Sequence, residues 1–148
     1  MTERKHRSGK TLLFGAVLLL AAAIWCIVRL CAGSADGISG ETNEQRITYI
    51  NSFGWDAGLT HTDVKEVRIP VRFDEAYEQY NALQKEQGFD LRKYRACSVK
   101  QYTYSIGGED SAVPIYAHLL VLDGEIIGAD ISSAEADGFV TVLAKGKD

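Results

Sequence analysis

Three kinds of hydrophobic pattern divide the chain. From Thr11 to Val28 the residues TLLFGAVLLLAAAIWCIV run without a charge. A helix of that length rises roughly 27 Å, close to the hydrocarbon thickness of a bilayer. Further on, the apolar positions become periodic. In RITYINSFGW, Ile47, Ile50 and Phe53 share one helical face; Thr42 is the expected N-cap, with Glu44 and Gln45 in the first turn, and Gly54 is the stop. In FDEAYEQYNALQKEQG, Phe73, Tyr77, Tyr80 and Leu83 stand at i, i+4, i+7 and i+10, Asp74 caps the helix and Gly88 ends it. Between the two helices, Val64, Val67 and Ile69 suggest a short strand that Pro70 ends or confines to a sheet edge.

From Ser98 onward the period is two. Tyr102, Tyr104 and Ile106 alternate in one strand, and Gly107-Gly108 follows as a turn. Val113–Leu122 and Glu125–Ile131 flank Asp123-Gly124, a dipeptide suited to a two-residue type I′ hairpin. A regular ladder from that turn sets Leu122 opposite Glu125, Leu120 opposite Ile127, His118 opposite Ala129 and Tyr116 opposite Ile131. On the other face it pairs Val121 with Ile126, Leu119 with Gly128 and Ala117 with Asp130. A last strand spans Gly138–Leu143, after a turn at Glu135–Asp137. The order predicts an α+β fold, two helices packed on an antiparallel sheet of about four to five strands, preceded by one N-terminal transmembrane helix.

Charge orients the apolar run. Arg4, Lys5, Arg7 and Lys10 precede it, while Ala32–Gln45 holds Asp36, Glu41 and Glu44 and no basic residue. The positive-inside asymmetry places residues 1–10 in the cytoplasm as a basic tail and everything beyond the 11–32 signal-anchor outside, at the cell membrane. Cleavage after Gly33-Ser34-Ala35, which would release a secreted domain, and a lipid anchor on Cys31 are the alternatives. Residues 33–41, GSADGISGE, read as a flexible linker, 42–143 as the extracytoplasmic domain and 144–148 as a polar tail. The net charge of −4 conceals a division: residues 1–32 carry five basic and one acidic residue, and 33–148 carry eleven and nineteen, giving +4 and −8. A domain at −8 repels nucleic acid and anionic lipid, and would attract cationic partners.

Candidate chemistry is sparse. His6, His61 and His118 lie in a tail, a loop and a strand without ligand spacing, so no metal and no cofactor is expected. Neither a Gly-x-Ser-x-Gly elbow nor a phosphate-cradling glycine loop occurs. Cys97 reads as a buried structural thiol, with a disulfide and a reactive Cys97–His118 pair as alternatives. Asp74, Glu75 and Glu78 read as first-turn charges favoured by the helix dipole. Tyr94, Tyr102 and Tyr104 beside Lys93, Arg95 and Lys100 form the candidate interaction surface, because amphipathic rings next to cations are enriched at interfaces.

RITYINSFGW at 46–55, VRIPVRFDEAYEQYNALQKEQGFDLRKY at 67–94, KQYTYSI at 100–106 and HLLVLDGEIIGADISS at 118–133, taken together, resemble the bacterial family named domain of unknown function 4830. YNALQKEQGFDL at 80–91 is the most specific stretch. The resemblance implies a short, mostly firmicute protein with an N-terminal membrane segment and one extracytoplasmic domain, and brings no catalytic residue. The sequence therefore points to a single-pass protein, anchored in the bilayer through 11–32, whose outer domain binds a protein, peptide or cell-envelope partner. It is not expected to be an enzyme; an envelope enzyme using carboxylates or Cys97 is the alternative.

Overall fold

The computed structural model describes residues 37–106, 113–135 and 138–144, all within a unit running from Gly33 to Asp148. The signal-anchor 11–32, the tails 1–10 and 145–148 and the Gly107-Gly108 turn lie outside the described residues. Among the described residues no helix is long and apolar enough to cross a membrane.

The described chain is an α+β domain: β1 (Ile38–Ser39), α1 (Asn43–Asn51), β2 (Asp63–Arg68), α2 (Glu75–Glu86), a 3₁₀ turn (Leu91–Tyr94), β3 (Ser98–Ser105), β4 (Ile115–Leu122), β5 (Glu125–Ser133) and β6 (Val140–Thr141). The antiparallel sheet runs β1-β5-β4-β3-β2, with β6 also on β5. Thr42 and Gln45 make a reciprocal capping box at α1, side chain to backbone N–H in both directions. Asp74 accepts from the Tyr77 N–H at 2.8 Å to start α2. The end of α2 is a Schellman motif: Gly88 has φ +88°, its N–H reaches the Lys85 carbonyl, and the Phe89 N–H reaches that of Gln84.

The helices take opposite faces. Ile50 joins Tyr104, Ala117, Leu119, Val121, Ala129 and Ile131 in the main core, with Ile47 and Phe53 packed against it. The other face carries Leu120, Gly128 and the polar side chains under α2. A Cβ on Gly128 would meet Gln84, Leu120 and Leu91 at 3.1–3.3 Å, so the missing side chain lets α2 and the 3₁₀ turn seat. Phe73, Tyr77 and Tyr80 do stack along α2, at 4.5 and 5.7 Å between ring centroids. Its fully buried residues, however, are the polar Asn81 and Gln84.

Those amides complete a sheet edge. β1 and β6 pair with the two ends of β5 and leave a gap at Ala129. There the Ala129 N–H donates to Gln84 Oε1 at 2.8 Å, and Gln87 Nε2 donates to the Ala129 carbonyl at 2.7 Å. The Leu143 N–H donates to Gln87 Oε1 at 2.9 Å. Asn81 Oδ1 accepts from the Leu91 N–H at 2.8 Å, and its amide donates to Asp90. The two glutamines thus stand where a strand would: Gln87 donates and accepts as a peptide group does, and Gln84 supplies an acceptor.

Three expectations change. Ile38–Ser39, inside the glycine-rich stretch read as linker, is a strand; Cβ atoms on Gly37 and Gly40 would lie 2.0 and 2.5 Å from Glu125 and Ile126, so these glycines serve close approach rather than flexibility. The last strand shrinks from Gly138–Leu143 to Val140–Thr141. The hairpin has its turn as expected, with Asp123 and Gly124 at φ +49° and +82°, and keeps Leu122 opposite Glu125 and Val121 opposite Ile126. Beyond that the register slips by one residue between Leu120 and Val121, because Ile127 is an extra residue facing no partner. Leu120 then faces Gly128, Leu119 faces Ala129, Ala117 faces Ile131 and His118 faces Asp130.

Candidate functional site

The slip decides which polar residues meet. On the face under α2, Thr103, His118 and Asp130 fall opposite one another on β3, β4 and β5. Ser132 lies two residues farther along β5 on the same face. His118 Nδ1 is 3.0 Å from Thr103 Oγ1, and Nε2 is 2.9 Å from Ser132 Oγ, so both ring nitrogens are engaged by hydroxyls. From α2 above, the Tyr80 hydroxyl donates to Asp130 Oδ2 at 2.7 Å. Around this group the helix and sheet leave a cleft of about 540 Å³. Its walls are Ala76, Leu83 and Val140, its floor His118, Asp130 and Ser132, with Gln79 and Gln101 at the sides. A mostly apolar concavity with a few converging polar groups is the usual form of a small-ligand site.

Burial governs the ionisation here. Asp130 is 4% exposed, and burial pushes its carboxyl above the ordinary value of 3.8, against the Tyr80 hydrogen bond and the nearby His118. Burial holds His118 below 6.5, with Lys65 adding to the effect and Asp130 opposing it. The Tyr80 hydroxyl is pushed up, first by burial and then by the Asp130 charge and hydrogen bond, and serves as a neutral donor. The folded chain therefore holds more protons than the unfolded chain at Asp130, and stability is lost as pH rises through its raised pKa. At His118 the unfolded chain holds more, and stability is lost as pH falls from 6.5 through the lowered pKa. Asp130→Asn, which keeps an acceptor for Tyr80, is expected to gain stability over the native chain as pH rises from 4 to 7, read as the difference in urea midpoints. A difference that stays flat or narrows with pH contradicts the assignment.

The residues expected to form one interaction surface are dispersed. Tyr104 is fully buried; its hydroxyl accepts from Arg46 Nε at 2.8 Å and donates to Asn43 Oδ1 at 3.0 Å, so no partner can reach it. Tyr102 is half-buried with the Arg46 guanidinium 3.8 Å from its ring centroid. Lys100 and Tyr102 edge a depression near the hairpin turn, and Lys93 and Tyr94 edge another beside β1. Arg95 lies over Phe73 at 5.3 Å. Cys97, the one cysteine among the described residues, is 4% exposed, with its Sγ 3.8 Å from the Arg95 carbonyl. Among the described residues no three His, Cys, Asp or Glu side chains converge as metal ligands.

The cleft was missed because a regular hairpin puts His118 beside Ala129. A signal was present: along EIIGADIS the apolar phase passes from Ile126 to Ala129 and Ile131, and such a change of parity marks a bulge.

No curated protein and no solved structure matches the chain. A family model described as "Domain of unknown function (DUF4830)" matches residues 49–131, more than half of the chain, and takes in Tyr80, the two glutamines, His118 and Asp130. The chain belongs to that family.

Proposed function

We propose that this is a single-pass membrane protein, its N-terminus cytoplasmic and residues 11–32 its anchor, whose extracytoplasmic α+β domain binds a ligand in the cleft between α2 and the sheet. The carrying observation is the convergence of Tyr80, His118, Asp130 and Ser132 on a cavity of about 540 Å³ that Ala76, Leu83 and Val140 line with apolar surface. The anchor rests on the uncharged run and the basic residues before it. The ligand is a small molecule, or a side chain of a protein, peptide or envelope polymer, of a size to enter the cleft.

The test is a ligand-observed NMR fragment screen on the full chain in detergent, repeated on Leu83→Trp, which places an indole in the cleft. Hits that disappear in the variant support the proposal. A screen with no hits, or hits indifferent to Leu83→Trp, opposes it. Protease added to intact cells should remove the domain while sparing the anchor; protection of the domain would reverse the topology.

One contact favours a second reading. Ser132 Oγ at 2.9 Å from His118 Nε2 is a nucleophile–base spacing, although Thr103, rather than a carboxylate, holds Nδ1. Labelling of Ser132 by a fluorophosphonate, lost in Ser132→Ala, would establish hydrolysis; an unlabelled native chain removes it.

A further inference from the structure

Asp130 occupies an unusual position for a carboxylate. It is 4% exposed on a central strand, and the hydrogen bond it accepts comes from the neutral Tyr80 hydroxyl. Two cations on this side of the domain are otherwise engaged. Lys65, on the same face, is paired with Asp63 at 3.1 Å, and Arg92 is paired with Glu78. His118, directly opposite, has both nitrogens occupied by hydroxyls and is kept neutral by burial. Among the described residues no ion pair reaches Asp130. A buried carboxylate without a counter-charge is costly, and such groups cluster in functional clefts. Here it lies on the floor of an open cleft, below the apolar walls made by Ala76, Leu83 and Val140.

We infer that the cleft takes a ligand presenting a primary ammonium group on an aliphatic stem, with the ammonium seated against Asp130 and the stem along Leu83 and Val140. The inference rests on the cleft being a binding site. An ammonium has three donors, and the carboxylate of Asp130, Ser132 Oγ and the Gln101 side chain present acceptors toward the same space. The stem replaces water on the apolar walls. Burial that now works against the ionised carboxylate would be offset by the arriving charge, so ligand affinity and the instability at Asp130 have one origin. A balance of −8 over residues 33–148 also draws cations toward the domain before contact.

The test uses three soluble four-carbon probes on the full chain in detergent at physiological salt: 1,4-diaminobutane, 1,4-butanediol and butanedioate, followed by chemical shifts of His118, Asp130 and Ser132. The diamine is expected to bind saturably and at least about tenfold more tightly than the diol, the dianion not at all. Asp130→Asn should erase that preference while leaving the rest of the spectrum unchanged. Asp123→Asn, which removes the same charge from the exposed turn, should leave the preference intact. Equal affinity for diamine and diol, or a preference surviving Asp130→Asn, overturns the ammonium inference and leaves the cleft as a binding site. Shifts from none of the three overturn it as well, and the binding reading is then decided by the fragment screen and its Leu83→Trp control.

Discussion

Arg46→Ala should lower the unfolding free energy of the domain by about 3 kcal/mol, and Arg46→Lys by about half as much. Arg46 is 5% exposed on α1, four residues before Ile50 and so on the same, buried face of the helix. Its Nη1 donates to the Gly40 and Glu41 carbonyls at 2.7 and 2.9 Å, and its Nε donates to the fully buried Tyr104 hydroxyl. The guanidinium also lies 3.8 Å from the Tyr102 ring centroid. The residue thus ties the β1 segment, α1 and β3 together. Truncation strands two carbonyls and removes a cation–π contact worth about 1 kcal/mol. Lysine restores the charge but cannot serve three acceptors from a planar fork. Urea unfolding of the two variants against the native chain reads the difference. A loss below about 1 kcal/mol for the alanine variant would mean that water replaces the bonds at little cost.

Gln84→Ala is the second large effect, also about 3 kcal/mol, and Gln84→Met separates its causes. The alanine variant leaves the Ala129 N–H unpaired on the edge of β5 and opens a void under a side chain with no exposure. Methionine fills the volume and dispenses with Gln84 Nε2, a buried donor without a partner, but still deserts the Ala129 N–H. It should therefore cost about 1–2 kcal/mol. Equal losses for the two variants would assign the whole effect to the hydrogen bond. A harmless methionine would show that the edge needs no acceptor there. Only the harmless methionine contradicts the view that Gln84 and Gln87 replace a missing strand.

Much of the fold was legible because local chemistry and tertiary demand agree. Thr42 and Asp74 cap the helices, Gly54 and Gly88 take positive φ where the helices stop, and Asp123-Gly124 makes the turn. The illegible parts are those where one extra residue, or a side chain acting as backbone, decides the outcome. Ile127 shows itself only as a change of apolar parity along EIIGADIS, yet its bulge moves Asp130 from the face of Ala117 to the face of His118. Gln84 and Gln87 look like ordinary polar helix residues until the gap between β1 and β6 is known. Arg46 and Tyr104 each pass for surface residues, and only together do they satisfy one another in the interior. Tyr102 and Tyr104 share one face of β3, and alternation along the strand does not say how deeply each position on that face is covered.

Site, function and ligand class all depend on the register of one hairpin. Because the Ala129 N–H and carbonyl point outward to the two glutamines, Leu119 and Ala129 form the close, non-hydrogen-bonded pair of the β4–β5 ladder. A nuclear Overhauser spectrum of the full chain should therefore contain a strong Hα–Hα cross-peak between Leu119 and Ala129, with His118 and Asp130 amides adjacent. A Leu119–Gly128 cross-peak in its place, with His118 beside Ala129, would restore the regular ladder, separate His118 from Asp130 and dissolve the cleft.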